Sequence, residues 1–528
     1  MIPPLPTELW ARIASFSDRD SLGALSLVSH VLLDVSRREY DKELVLEHYE
    51  GLSRKHTPSQ VIDFLAQNNR AHHIRKLCLN LVYEDKKISE QVMSKALSSF
   101  PNIQSLSMRP SCLNSDAQKC LDSLLQASCR HLEEISFLCW PVLKHGDFSI
   151  QNIKKVHWND FGKISSSFTS FCKASLMTLQ EIEFTTYAST THIFSYLEFF
   201  QLRFPSLFAL KIGPGPRNIS GTLQEPDRDI LAGAFTTFLL AHSGIKRLRL
   251  LHSTNNDTSA DVYLPLAVEK ALPEILPNLV TLRAHPSQIE VFAKAGAQFF
   301  GTLRSLHIIS MNDVQNLELE IGRMFSELIK FVELYGPCYA LRDLIFTDMP
   351  ESWSTTLAAE KREFQLLIAK IAEVFPELEL WKGRIPHYSN PDQLGDIFSQ
   401  LPHLRILAVD NDTILTASHA MIIAEECLSL EKLVWSWDET VFVTDHDHCD
   451  EVLVRERVQH CDESKYHSDD DGIDSGLNEE TTDEEDDESD DEDDESDNDD
   501  ATESDDGSDS QEVDESSGDE AGARAEDS

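Results

Sequence analysis

The feature that most constrains this chain is a six-residue apolar pattern that recurs thirteen times, in one copy weakly, between residues 74 and 435. Each copy has the form apolar-x-x-apolar-x-apolar, as in Ile74-Arg-Lys-Leu77-Cys-Leu79. Strict alternation over so short a run predicts a strand with one buried face. The second apolar positions lie 21 to 38 residues apart, at Leu77, Leu106, Ile135, Val156, Ile182, Leu210, Leu248, Leu282, Leu306, Leu344, Trp381, Leu407 and Leu433.

The segments between these copies have the apolar spacing of helices. Clear examples are Ser115–Ala127, Ile230–Ala241 and Glu360–Val374, and the last places its apolar residues on one helical face. Proline follows a Phe or Leu just before five copies, and this marks the corner between helix and strand, because proline cannot continue the helix. Those dipeptides are Phe100-Pro101, Phe204-Pro205, Leu276-Pro277, Phe375-Pro376 and Leu401-Pro402.

A strand, a turn and a returning helix at a period near 30 residues predict an α/β solenoid, in which each unit needs its neighbours to bury a core. The pattern resembles leucine-rich repeats across most of residues 70–440, and we assign the solenoid to residues 73–440. The resemblance implies parallel strands inside and helices outside. The Asn or Cys that usually links successive repeats is irregular here, and the spacing indicates insertions at Gly213–Asp229 and Asn255–Leu264.

The first 45 residues have apolar side chains at helical spacing and predict three short helices. Pro6 is tolerated in the opening turn of the first, Asp20 or Ser21 can cap the second, and Ser29 can cap the third. A unit of this size is too small for a secure core unless a partner supplies surface. The apolar positions are Leu5, Leu9, Ile13 and Phe16, then Leu22, Leu25 and Val28, then Leu32 and Val35.

This segment resembles an F-box, the motif by which substrate receptors join a Skp-type adaptor, and through it a cullin, in a ubiquitin ligase. We assign residues 1–48 to an F-box-like all-α domain and 49–72 to a helical linker. The alternative is a small helical cap on the repeat array. The resemblance implies adaptor contacts by Leu5, Pro6, Glu8, Leu9, Ile13, Phe16, Leu22, Leu25 and Val28.

An F-box followed by leucine-rich repeats is the arrangement of a non-catalytic substrate receptor, whose concave strands would hold a protein substrate. Docking surfaces of this kind use aromatic or basic anchors among well-packed apolar contacts. For each candidate, the alternative is an ordinary solvated position on a strand. The candidates are Arg109, His157, Arg249, Arg283, His307 and Trp437.

The C-terminal region differs in composition from the rest. Residues 441–466 form a transition segment, and 467–528 contain 32 acidic residues against one arginine, a formal charge of −31. Such a tail cannot bury enough apolar surface to order itself, so we expect disorder and a solvating role. The alternative function is that of an acidic repeat scaffold or histone-chaperone-like protein that binds basic partners. Acid-flanked phosphorylation candidates are Ser468, Thr482, Ser489, Ser496 and Ser517.

The sequence contains few signals for enzymes, metal sites, or nucleic-acid or membrane binding. We find no phosphate-binding, nucleophile-elbow or zinc-protease motif, and therefore expect no enzyme and no cofactor. Asp445–Asp450 and His460-Cys461 contain metal-type ligands without the paired spacing of a zinc site, so we expect no metal.

The net charge of −45 disfavours nucleic acid and anionic membranes as partners. Scattered cysteines and the lack of a secretory signal predict a cytoplasmic or nuclear protein.

Overall fold

The structure is a computed structural model. It describes residues 6–48, 56–81, 86–108, 121, 125, 127, 129–140, 150–160, 166–186, 193–213, 225–251, 253–254, 261–262, 266–267, 272–309, 314–347, 358–383, 385, 392–409, 417–435, 439–443 and 452–456. The predicted acidic tail at 467–528 lies outside this set.

Three short helices form the N-terminal bundle: α1 (Thr7–Ala14), α2 (Arg19–Ser26) and α3 (His30–Tyr40). Pro6 is the N-cap of α1 and so lies just before the helix, not in its opening turn. Asp18 caps α2 by accepting a 2.7 Å hydrogen bond from the Ser21 amide, so the predicted cap at Asp20 or Ser21 is wrong. Ser29 caps α3 as predicted, through the Leu32 amide at 3.2 Å.

A 16-stranded sheet dominates the molecule. Its first fourteen strands pair in parallel, and β17 and β18 close it as an antiparallel hairpin. Two further strands, β9 (Ser253–Thr254) and β10 (Asp261–Val262), form a separate antiparallel pair. The large sheet has the order β1 (Glu43–His48), β2 (Lys76–Leu81), β3 (Ser105–Met108), β4 (Glu134–Trp140), β5 (Lys155–Asp160), β6 (Glu181–Thr186), β7 (Ala209–Gly213), β8 (Arg247–Leu250), β11 (Thr281–Ala284), β12 (Ser305–Ile309), β13 (Asp343–Thr347), β14 (Leu380–Gly383), β15 (Ile406–Val409), β16 (Lys432–Trp435), β17 (Glu439–Val443) and β18 (Val452–Glu456).

Among the described residues, helices connect most of the successive parallel strands and cover one face of the sheet, as a solenoid requires. The predicted helices at 230–241 and 360–374 are both present, although each begins a few residues earlier. The helices are α4 (Pro58–Gln67), α5 (Lys86–Ser99), α6 (Ser166–Ala174), α7 (Ile193–Phe200), α8 (Glu225–Ala241), α9 (Pro286–Lys294), α10 (Val314–Tyr335), α11 (Ala358–Val374), α12 (Asp392–Phe398) and α13 (Ala417–Glu426).

The repeat pattern sets the register of the sheet. Leu77 pairs with Leu106, Leu106 with Ile135, and the series continues through all thirteen second apolar positions to Leu433. These side chains are at most 1% exposed and line one continuous core with the helices. The prediction of an α/β solenoid with parallel strands and outer helices is therefore confirmed.

The link between successive repeats is made by the backbone where each strand begins. The Lys42 carbonyl accepts hydrogen bonds from the amides of Arg75 and Lys76, and the Arg75 carbonyl accepts from Gln104 and Ser105. The same arrangement repeats up to the Arg405 carbonyl, with N···O distances of 2.7–3.1 Å. Each step satisfies three main-chain groups without any particular side chain, which explains why an irregular Asn or Cys position is tolerated.

The sheet extends beyond the limits that the sequence indicates for the repeats. β1 lies inside residues 1–48, where only helices are expected, and pairs with β2 along its whole length. The hairpin β17–β18 lies largely in the segment 441–466 that is predicted as a transition. Buried Asp41, at the end of α3, forms an ion pair with Arg70 close to where the solenoid begins.

Each of the five Phe-Pro or Leu-Pro dipeptides lies between the end of a helical segment and the start of the next strand, as predicted, and the apolar residue before the proline is at most 2% exposed. In the described part of the chain, no helix is both long enough and apolar enough to cross a lipid bilayer.

Candidate functional site

Two surfaces contain the predicted site residues, and the first is on the N-terminal bundle. The bundle has a small core of Ala14, Leu22 and Val35, against which Trp10 and Ala11 pack. Helix α1 therefore turns positions 10, 11 and 14 inward, and the helical period of 3.6 residues places positions 9 and 13 on another face.

Large apolar side chains remain exposed on this bundle. Leu9 is 46% exposed and Ile13 43%, while Phe16 (72%) and Val28 (70%) lie after α1 and before α3. We call this set the bundle surface: Leu9, Ile13, Phe16, Leu27, Val28 and Val31. Six large apolar side chains are therefore exposed on about 40 residues, and exposed apolar patches often mark interaction sites.

Four of the predicted adaptor contacts, Leu9, Ile13, Phe16 and Val28, belong to the bundle surface. Pro6 and Glu8 are also exposed, and Leu25 is half-buried. Leu22 is 6% exposed and belongs to the bundle core, so it holds the helices together and presents no free surface to an adaptor. Leu5 lies outside the described residues. Sequence analysis missed Leu27 and Val31, whose apolar character beside Val28 was the available signal.

The second surface is the face of the sheet that the helices do not cover. It contains the residue between the second and third apolar positions of each copy, because successive side chains of a strand point to opposite faces. In register order these residues are Cys78, Ser107, Ser136, His157, Glu183, Lys211, Arg249, Arg283, His307, Ile345, Lys382, Ala408 and Val434.

Four predicted substrate-binding residues therefore share one row across the sheet: His157, Arg249, Arg283 and His307. Arg249, Arg283 and His307 are direct neighbours on β8, β11 and β12. Each is partly buried, and His307 lies with its Nε2 3.1 Å from the Ser305 hydroxyl. Arg109 and Trp437 lie outside the described residues. The structure thus brings together four candidates that are separated by up to 150 positions in the chain.

Glu183 is the centre of a charged network on this face. Its carboxylate lies 2.6 Å from Nδ1 of His157 and accepts a hydrogen bond from Nζ of Lys211 at 2.8 Å. Lys155 and Arg247 both contact Glu181, each at 3.4 Å. Sequence analysis missed Glu183 and Lys211, although both occupy the same repeat position as His157.

The pKa values of Glu183 and His157 reflect the geometry of this network. Burial alone would raise the pKa of Glu183, but the hydrogen bond from His157 and the charge of Lys211 lower it to about 2. Burial alone would lower the pKa of His157, but Glu183, assisted by Glu134 and Glu181, raises it above its ordinary value. Both shifts favour the charged forms, so the network is an ion-pair cluster and not an acid–base pair.

Other chemically reactive groups on the described residues are inert or dispersed. Burial raises the pKa of Cys129, Cys338 and Cys427 to about 12, which keeps these thiols protonated. No cluster of three or more metal-type ligands occurs among the positions that the structure describes. The metal-type side chains at 445–450 and 460–461, where no metal site is expected, and the phosphorylation candidates Ser468, Thr482, Ser489, Ser496 and Ser517 lie outside those positions.

Comparison with known proteins gives structural similarity alone. The sequence matches no protein-family model and no curated protein. The crystal structure of the Rad7 and Elc1 complex in yeast is similar at a TM-score of 0.36 and 12% identity, covering 78% of this chain and 88% of that chain. The TLR13–ssRNA13 complex is similar at a TM-score of 0.26 and 11% identity, covering 70% of this chain and 45% of that one. The assignment of an irregular leucine-rich-repeat solenoid therefore rests on the strand register of this chain.

Proposed function

We propose that this protein is the substrate-recognition subunit of a Skp–cullin–F-box ubiquitin ligase. The observation that carries the proposal is the bundle surface, with Leu9, Ile13, Phe16 and Val28 between 43% and 72% exposed. These residues are the ones whose pattern resembles the adaptor-contacting positions of an F-box. A monomeric helical bundle has no structural need for them to be apolar.

The energetics agree with a docking role. Fully burying a large aliphatic or aromatic side chain contributes about 1.5–3 kcal/mol, so the remaining exposed area of these four side chains offers roughly 3.5–7 kcal/mol of gross binding energy. In a chain without a partner, these exposed apolar side chains would only reduce solubility. An adaptor with an apolar groove is therefore the partner that this surface fits best.

The rest of the proposed assignment follows from this docking. The cullin would be recruited through the adaptor, and the uncovered face of the sheet would hold the protein substrate. The subunit itself would perform no covalent step and would need no cofactor. Its place of action would be the cytoplasm or the nucleus, where such ligases operate.

The test is a pull-down of a Skp-type adaptor and its cullin by the full-length chain. We expect wild type to recover both proteins and Leu9→Asp/Ile13→Asp to recover neither, because two carboxylates cannot enter an apolar interface without a large desolvation cost. Both side chains are nearly half exposed in the free chain, so the variant should fold.

The matched control is Ile88→Asp/Leu366→Asp. These residues have the same types and are 44% and 52% exposed, but they lie on α5 and α11 of the solenoid. We expect this variant to bind the adaptor like wild type. A wild-type chain that recovers no adaptor, or a control that loses it equally, would disprove the proposal.

A second candidate function is favoured by the charge of −31 over residues 467–528. An acidic scaffold would bind histones or other basic proteins, and the binding would weaken with salt because charge screening increases. Histone pull-down with the full chain and with a chain ending at residue 466 tests this. Equal binding by the two chains would exclude the tail as the binding element.

A further inference from the structure

A buried ion pair joins the N-terminal bundle to the solenoid. Asp41 directly follows α3, and its side chain is only 4% exposed. The guanidinium of Arg70 donates to both oxygens of this carboxylate, with the Nε contact at 2.6 Å. Nδ1 of His73 lies 3.8 Å from the same carboxylate. The two members of the pair are 29 residues apart in the chain, so the contact connects separate parts of the fold.

The solenoid fixes the position of Arg70. This residue follows α4, whose Ile62 and Leu65 belong to the solenoid core. Its amide donates to the Leu65 carbonyl at 2.9 Å, and its guanidinium lies 5.8 Å from the centre of the Phe64 ring. Arg70 is therefore presented by an element whose position depends on the repeats and not on the bundle.

The main chain makes a second connection at the same place. The Lys42 carbonyl accepts hydrogen bonds from the amides of Arg75 and Lys76, both at 2.8 Å. Lys42 follows Asp41 in the chain, so two consecutive residues just after α3 are attached to the first repeat.

The bundle has a very small core of its own. Ala14, Leu22 and Val35 are its buried side chains, and among the described residues they form a cluster separate from the solenoid core. A unit of about 40 residues is at the lower limit of size for independent folding. The order of the bundle should therefore depend on its attachment to the solenoid.

We infer that Asp41 and Arg70 are positioning residues, which keep the bundle folded and so hold the bundle surface ready for its partner. This inference rests on the proposed function, and it makes adaptor docking depend on an ion pair outside the bundle surface. Removal of Arg70 would leave the carboxylate of Asp41 buried without its guanidinium, which is strongly destabilising. Helix α3 would then detach from the first repeat, and the bundle would open locally while the repeats stay folded.

Hydrogen-exchange mass spectrometry of the full-length chain without adaptor tests this ordering. We expect Arg70→Gln to exchange at least about tenfold faster than wild type over residues 7–40. Exchange over β3 and β5 should stay within about twofold of wild type, because each repeat of a solenoid depends mainly on its direct neighbours.

Two further variants serve as controls. Lys95→Gln removes the same charge from an ion pair with Asp63 at 2.7 Å, but this pair is more exposed and lies within the solenoid. Its exchange over residues 7–40 should equal that of wild type, because exposed pairs contribute little. Arg70→Lys keeps the charge and can still donate a hydrogen bond, so its exchange should fall between those of wild type and Arg70→Gln.

Binding kinetics with a purified Skp-type adaptor separate positioning from direct contact. Arg70→Gln should lower the association rate constant at least about fivefold, because only the ordered fraction of the bundle can bind. Its dissociation rate constant should stay within about twofold of wild type, because the bound bundle is the same. Leu9→Ala, which shortens a side chain of the bundle surface, should mainly raise the dissociation rate constant.

Four results would overturn the inference: unchanged exchange over residues 7–40 in Arg70→Gln, equal acceleration over β3 and β5, an equal effect of Lys95→Gln, or an unchanged association rate constant. The exchange measurement uses no adaptor. Unchanged exchange together with a positive adaptor pull-down removes this inference alone. Faster exchange in Arg70→Gln together with a wild-type chain that binds no adaptor removes the ligase proposal, and the ordering of the bundle by the ion pair stands.

Discussion

Replacing Glu183 by glutamine is the sharpest test of the charged network. The side chain is 24% exposed and lies between Nδ1 of His157 at 2.6 Å and Nζ of Lys211 at 2.8 Å. Glutamine keeps the size and one acceptor oxygen but removes the charge. The two cations would then face each other across a neutral group, in a partly buried position.

The size of the effect follows from the pKa of Glu183. A value of about 2 against the ordinary 4.5 corresponds to roughly 3.4 kcal/mol of unfolding free energy at neutral pH, at about 1.36 kcal/mol per pKa unit. Because a quarter of the side chain is in water, screening reduces this, and we expect Glu183→Gln to cost about 2 kcal/mol at pH 6.

The pH dependence has a definite sign on each side. The folded pKa of Glu183 is depressed, so its stabilisation is present above pH 4.5 and is lost as pH falls through about 2. The folded pKa of His157 is raised, so its contribution is complete below its ordinary value of 6.5 and is lost as pH rises through the raised value. The difference between wild type and variant should therefore be largest between pH 4.5 and 6.5.

Urea denaturation followed by circular dichroism from pH 3 to 9 measures this difference. Hydrogen-exchange mass spectrometry of peptides covering β5–β7 locates it, because a repeat array opens locally. The control is Glu431→Gln, which removes an exposed carboxylate paired with Arg405 at 2.8 Å and should change stability little. A Glu183→Gln loss below about 0.5 kcal/mol, or one that does not vary with pH, would refute the reasoning.

Three further predictions concern single side chains. Leu22→Ala should destabilise the N-terminal helices by about 2–4 kcal/mol through a cavity in the bundle core, seen as faster amide exchange over residues 7–40. Gly213→Ala should cost at least about 2 kcal/mol in urea denaturation, because Gly213 has φ +133° and a Cβ there would lie 2.5 Å from the Leu251 carbonyl oxygen. Burial lowers the pKa of His242, more than its hydrogen bond to the Phe238 carbonyl raises it, so stability should fall as pH drops below 6.5. A His242→Gln chain should lack that part of the acid sensitivity, and an identical pH profile for both proteins would contradict the assignment.

The strands of the solenoid were predictable because their information is local. Each six-residue copy contains its own alternation, and stacking similar copies leaves only one register that keeps every second apolar position in the core, as between Leu306 and Leu344. Helix boundaries were less accurate, because the first turn of a helix depends on capping contacts. The α2 cap at Asp18 is an example, since Asp20 and Ser21 are chemically just as suitable.

Periodicity in this chain was enough to determine a repeating α/β architecture and to place His157, Arg249, Arg283 and His307 on the strand positions opposite the core. It was not enough to separate Leu22, which is buried, from Val28, which is exposed, because that difference depends on how three helices cross. Periodicity also did not indicate that Glu183 contacts His157 and Lys211, which lie 26 and 28 residues away along the chain. Those contacts exist because the solenoid brings each repeat within about 4.8 Å of the next, and only folding creates that proximity.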